Sequence, residues 1–253
     1  MAIYLNTETL LMTLNMANER VDGGVHLVAA IMNEVVVELS MSHHKLKEPF
    51  SAVSHYVGAG AAMIGLAYLI YQVWHHTVAM VAFAIYGFCL TLLYVASGIY
   101  HSVETRSKWL QRLDHMAIYL MIAGTYTPVC LLAVRGVGGY AMLASEWSMA
   151  AIGIVANIFF GGGPKRLRLT LYLLMGWMVI GFIPDLLKVL PVSAIAWMIA
   201  GGLVFTGGTV IYATGRPKLW PGKFGSHELW HLFVLGGSAC HYFLMLATVR
   251  LAQ

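Results

Sequence analysis

From Pro49 to Val103 the chain carries no Asp, Glu, Lys or Arg. A membrane-spanning helix needs about 20 mostly apolar residues, so this run is too long for one span. The His75–His76 pair divides it into spans near 51–73 and 78–101. Further apolar runs at about 114–134, 140–161, 168–188, 193–213 and 227–249 bring the number to seven. Composition agrees: 59% of residues are hydrophobic and 10% charged, against roughly 45–50% and 25% in soluble domains. A mean hydropathy of +0.74 is too high for one oversized core, so apolar surface must face lipid. The predicted fold class is an all-α membrane protein, a seven-transmembrane helix bundle. Small residues inside the runs, among them Gly58, Gly65, Gly201 and Gly208, permit close helix approach. The net charge of +4 is scattered, with no basic stripe or recognition motif, which excludes nucleic acid as a partner.

Residues 1–47 read as a cytoplasmic extension and residues 48–253 as the seven-helix domain. Glu8, Asn15, Glu19, Arg20 and Asp22 interrupt the start, and no secretory signal pattern is present. Residues 25–40 fit either a short amphipathic interfacial helix or a weakly ordered extension, with Met41 as a second plausible start. The extension is the preferred reading. Cys89, Cys130 and Cys240 are far apart and lie within apolar runs, so they are expected to be small buried hydrophobes rather than a disulfide framework or thiolate site. Glu146 and Asp185, each near one end of its run, are expected to be interfacial.

Orientation follows from Lys and Arg. With the N-terminus cytoplasmic, the inner segments hold Arg20, Lys45, Lys47, Arg106, Lys108, Arg112, Lys165, Arg166, Arg168, Arg216, Lys218 and Lys223. The outer ones hold only Arg135, Lys188 and Arg250, twelve against three. The C-terminus is therefore expected outside.

That orientation brings five polar residues to one membrane depth. Ser97 and His101 stand four apart at the inner end of the second span, on one helical face. Asp114 opens the third span from the same side, and His227 and His231 stand four apart at the start of the seventh. Two histidines at i and i+4 can bind one zinc ion from a single helix, and a third with an open position makes a catalytic type of site. Zinc held there would acidify a bound water and make it a nucleophile at neutral pH. Asp114 would orient that water or take its proton, and Ser97 would donate to a developing oxyanion. The string HELWH also matches H-E-x-x-H, in which the Glu is the general base, so Glu228 rivals Asp114. Each residue has a plainer reading: solvated histidines, an Asp114 helix cap, a Ser97 bond to its own backbone. Their common depth is what favours the site.

The string SGIYHSVETRSKWLQRLDHMAIYLMIAGTYTPVCLL, residues 97–132, resembles the second and third spans of bacterial hemolysin III proteins. SHELWHLFVLGGSACHYFLML, residues 226–246, resembles their seventh, and EPFSAVSHYVGAGAAMIG, residues 48–65, more loosely their first. The chain is thus similar, from about residue 48 to its end, to the bacterial branch of the progestin and adipoQ receptor superfamily. Its Ser/His/Asp/His/His pattern is also similar to that of alkaline ceramidases. The resemblance implies a multi-pass protein of the bacterial inner membrane with zinc near the cytoplasmic leaflet. Its ligands would be His101, His227 and His231, with Asp114 holding a water and Ser97 nearby. It also implies hydrolysis of a membrane lipid, a ceramide-like amide among the candidates. The shorter spacing from His101 to Asp114 and the presence of Glu228 depart from the eukaryotic receptors and leave the base open. His55 belongs to the first-span motif but is not read as a ligand. His241 lies too deep for the same ion.

The contrasting expectation is a non-enzymatic sensor, membrane-homeostasis factor or cytolysin with a structural zinc site. A transporter would need midplane charges or broken helices, and the charged residues of this sequence fall near the ends of the runs.

Overall fold

The computed structural model describes residues 33, 46–104, 108–161, 163–220 and 224–252. The amphipathic segment expected over 25–40 lies outside them, residue 33 apart. Seven helices are long and apolar enough to cross a membrane: α1 (Pro49–Val73), α2 (Thr77–Ser102), α3 (Lys108–Val134), α4 (Gly136–Phe160), α5 (Lys165–Val189), α6 (Val192–Thr214) and α7 (Ser226–Val249). Among the described residues there is no strand, only an isolated bridge between Trp220 and Phe224. Helices adjacent in sequence pack against each other, and α7 returns to pack on α1. The central element is α3, which touches α2, α4, α5 and α7. Its most apolar stretch is 72% buried, against 22% for α4.

The ends are set by local chemistry. Pro49 occupies the first turn of α1, where its missing N–H costs nothing. Gly161 and Gly215, at φ 69° and 67°, close α4 and α6 in the left-handed conformation that glycine adopts without strain. Arg112 donates to the Ile158 carbonyl at 3.2 Å and Lys165 to the Tyr212 carbonyl at 2.7 Å, satisfying carbonyls in the last turns of α4 and α6. These bonds place the starts of α3 and α5 on the same face as the ends of α4 and α6. On the opposite face Arg135 donates to the Leu251 carbonyl at 2.9 Å.

Two spans are not regular. In α3, Pro128 is followed by a π-helical turn, Val129–Val134, in which Arg135 N–H reaches back to the Cys130 carbonyl at 3.0 Å. In α5 the Tyr126 hydroxyl enters the hydrogen-bond ladder. It accepts from Val179 N–H at 3.0 Å and donates to the Met175 carbonyl at 2.8 Å, and a 3-10 segment, Met178–Phe182, follows. An inserted side chain is a recognised cause of such a break.

One expectation and one alternative reading are corrected. Glu146 is not interfacial: it lies well inside α4, fully buried, with no hydrogen-bond partner for either carboxyl oxygen among the described residues. Asp114 does not cap the third span, because helix is already formed at Lys108. Asp185 is exposed near the end of α5, 2.6 Å from Lys188. The three cysteines are free, Cys89 and Cys130 buried and Cys240 half-buried.

Close approach is needed at Gly139, where a Cβ would meet the Cys130 carbonyl oxygen at 2.6 Å, a backbone atom that cannot swing aside. Gly60 has nothing within 4 Å. Gly139→Ala is expected to destabilise the bundle by about 1–3 kcal/mol, and Gly60→Ala to be neutral or slightly stabilising. Thermal unfolding midpoints in one detergent compare them directly.

Candidate metal centre

The end of α2 and the start of α7 meet on the face defined by Arg112 and Lys165. His101 is 1% and His231 2% exposed, and His227 is half-buried. His227 Nε2 lies 3.4 Å from His101 Nε2 and 3.2 Å from His231 Nε2. The three residues form a group whose ligand atoms all fall within 4.8 Å of one another. A tetrahedral zinc ion about 2.0–2.1 Å from each nitrogen would hold its ligands about 3.3–3.4 Å apart. The donor set and the spacing therefore fit a metal ion of that kind, although they do not identify the element.

Spacing explains the pairing within α7, since residues four apart lie on one face. The third nitrogen arrives from α2 because α1 holds α2 and α7 together. A Cβ at Gly58 of α1 would meet Leu235 of α7 at 2.7 Å and Tyr94 of α2 at 3.0 Å. Below the histidines a cavity opens into the bundle, with about 1080 Å³ of empty space including its open mouth. Its polar end is formed by Ser97, Asp114, Arg168, His227 and His231, and its walls by apolar residues such as Leu93, Ile122, Leu173 and Val234. Asp114 is half-buried and lines the same cavity as Ser97. Thus four of the predicted residues, Ser97, Asp114, His227 and His231, share the cavity wall, and His101 adjoins two of them.

Glu228 is engaged elsewhere: its carboxylate reaches back and accepts from Gly225 N–H at 2.7 Å, capping the start of α7. His241 lines the far part of the cavity against Phe205 and does not belong to the histidine group.

Three residues with no predicted role stand at the site. Glu48 accepts from His101 Nδ1 at 2.7 Å and lies 3.8 Å from His227 Nε2. The His101 hydrogen bond holds its carboxyl well below the usual carboxylate range, with the Lys47 charge acting the same way, and outweighs burial, which pushes it up. The His55 ring lies 4.0 Å from that of His231, centre to centre and tilted by 45°, and neither of its nitrogens has a partner among the described residues. Arg168, nearly buried in the first turn of α5, reaches the same cavity. The first-span likeness at residues 48–65 was the only signal for Glu48 and His55. Nothing singled out Arg168 among the basic residues.

Fold and site define the class: a multi-pass membrane protein with a three-histidine group that could hold a metal ion. A family model described as haemolysin-III related matches residues 43–242, and the chain belongs to that family, which lies within the progestin and adipoQ receptor superfamily. It is similar to hemolysin-3 of Bacillus cereus, 37% identical over 210 residues covering 81% of this chain and 93% of that protein. A hemolysin-3 homolog of Bacillus subtilis (strain 168) is 35% identical over 204 residues, 79% and 93% respectively. The human monocyte to macrophage differentiation factor is 29% identical over 168 residues, 63% of this chain and 66% of that protein.

Protein purified in detergent is expected to carry about one metal ion per chain, and His227→Ala/His231→Ala to carry none, because one remaining imidazole cannot hold the ion. Elemental analysis of the two preparations, matched for folded protein, decides this.

Proposed function

We propose that the protein is a zinc-dependent integral membrane hydrolase acting on a lipid, a ceramide-like amide among the candidate substrates. The observation that carries the reading is the juxtaposition of three convergent imidazole nitrogens with Asp114, Ser97 and an apolar cavity. Bound zinc would supply a Lewis acid and make water reactive near neutral pH. Asp114 takes the proton of the attacking water and returns it to the leaving group. Ser97 donates to the oxygen that gains charge as the carbonyl is attacked. The apolar wall takes the acyl chain and excludes water from it. Glu228, committed to its helix cap, is less well placed than Asp114 to act as base. Asp114→Asn is expected to retain zinc and lose lipid turnover by about 10²–10⁴-fold. Wild-type turnover of a panel of lipid amides and esters by this variant, with zinc still bound, would overturn the assignment.

The positive-inside bias of the sequence supports an N-terminus in the cytoplasm of a bacterial cell and a site at the inner leaflet of the plasma membrane. A cysteine placed at Lys218 is expected to react with an impermeant maleimide only in inside-out vesicles, and one at Lys188 only in intact spheroplasts. The reverse pattern would put the site on the outer leaflet.

A second reading, a non-enzymatic protein in which zinc only joins α2 to α7, has one observation in its favour. Glu48 is close enough to His227 to become a fourth ligand and close the shell. The lytic activity implied by the names of the Bacillus relatives belongs with this reading, and dye release from liposomes holding purified protein measures it.

A further inference from the structure

We propose that Glu48 is a positioning residue of the three-histidine centre, its carboxylate fixing the tautomer and orientation of His101 so that Nε2 faces the metal. This rests on the metal reading given above and adds to it a residue from a third helix.

The backbone brings Glu48 there first. Its N–H donates to the His101 carbonyl at 2.9 Å, and Lys47 N–H donates to the Ser102 carbonyl at 3.3 Å. Both acceptors lie in the last turn of α2, where carbonyls have no further helical partner. The chain entering α1 is therefore sewn to the end of α2, and Pro49 fixes its direction at the first helical turn. The Glu48 side chain makes no cap bond to its own helix, so it is free to reach across.

The side chain then contacts the same residue as its backbone. Glu48 Oε2 is 2.7 Å from His101 Nδ1. An ionised carboxylate can only accept, so Nδ1 carries the proton and donates it, and in the neutral ring that a metal requires the lone pair is then on Nε2. That nitrogen is the one facing His227 at 3.4 Å. A carboxylate behind a ligating histidine fixes the ring and strengthens its donor nitrogen. The opposite edge of His231 has no such support, since its Nδ1 lacks a hydrogen-bond partner among the described residues. Lys47 Nζ sits 3.6 Å from Oε1, the other oxygen, and leaves Oε2 to the histidines. At 3.8 Å from His227 Nε2, Oε2 is too far for a hydrogen bond and acts on that ring through charge.

The test is metal binding by the full-length protein in detergent, with zinc affinity read by chelator competition and cobalt(II) as a spectroscopic probe. Glu48→Gln keeps size and an acceptor oxygen but removes the charge, and is expected to weaken zinc binding about 10-fold. Glu48→Ala removes the contact and is expected to weaken it up to about 100-fold. In both, the cobalt visible spectrum keeps its wild-type shape at saturation, because the ligand atoms are unchanged. Glu48→Asp, which retains the charge one methylene further back, falls between wild type and the Gln variant. It also serves if the other variants do not fold. Wild-type zinc affinity in the folded variants overturns the proposal, and so does a changed cobalt spectrum, which would make Glu48 a direct ligand. If the wild-type chain binds neither metal, the metal reading itself fails, an outcome distinct from both.

Discussion

Inside a bilayer there is no water to satisfy a peptide group, so every backbone N–H and C=O within the spans must find its partner in the protein. Seven helices answer most of that demand, and the departures from regularity show how strictly it is met. Where the α5 ladder opens, the Tyr126 hydroxyl bridges Val179 N–H and the Met175 carbonyl. At the helix ends Arg112, Lys165 and Arg135 supply donors to carbonyls on neighbouring elements. Hydroxyls within the spans bond carbonyls of their own helix, as Thr91 does to Gly87 and Thr209 to Phe205. The basic side chains that would mark orientation in a sequence thus also close the bundle.

Against this background, polar groups left without partners are informative. The two nitrogens of His55, Nδ1 of His231 and both carboxyl oxygens of Glu146 are buried and unmatched among the described residues. His55 adjoins the histidine group and His231 belongs to it, where buried imidazoles find a use as metal ligands or their neighbours. Glu146 stands apart, in α4, away from the histidine group. Its depth, with the break in α5, removes part of the sequence argument against a transporter, which relied on charges confined to the ends.

The spans were legible because lipid demands long apolar runs and because Gly, Pro and charged residues end them. The third was read six residues short: Lys108, Gln111 and Arg112 look like a polar loop, yet they form a helical turn whose arginine caps α4. Glu146 was misplaced by the same kind of error, since α4 begins at Gly136 and so carries Glu146 deeper. The histidine group was legible because i, i+4 spacing and common depth are properties of single helices. The contact of Glu48 with His101 was not, because it joins residues 53 apart across two elements. The insertion of Tyr126 into α5 is tertiary in the same sense.

The spacing of the three nitrogens therefore depends on helix packing more than on any one span. His227 and His231 are fixed relative to each other by one turn of α7, but His101 is carried by α2. What sets the gap between them is α1, which packs on both. Gly58 lets α1 approach Leu235 and Tyr94 together, and Gly98 of α2 leaves room for the Tyr56 ring of α1. The Tyr56 hydroxyl then meets Ser102 Oγ at 3.0 Å, one residue beyond His101. Above that contact the Glu48 backbone holds the end of α2 and its carboxylate holds the His101 ring. Ligand-to-ligand distances in a tetrahedral site tolerate only a few tenths of an ångström, so α1, which contributes no member of the triad, is the element on which its geometry rests.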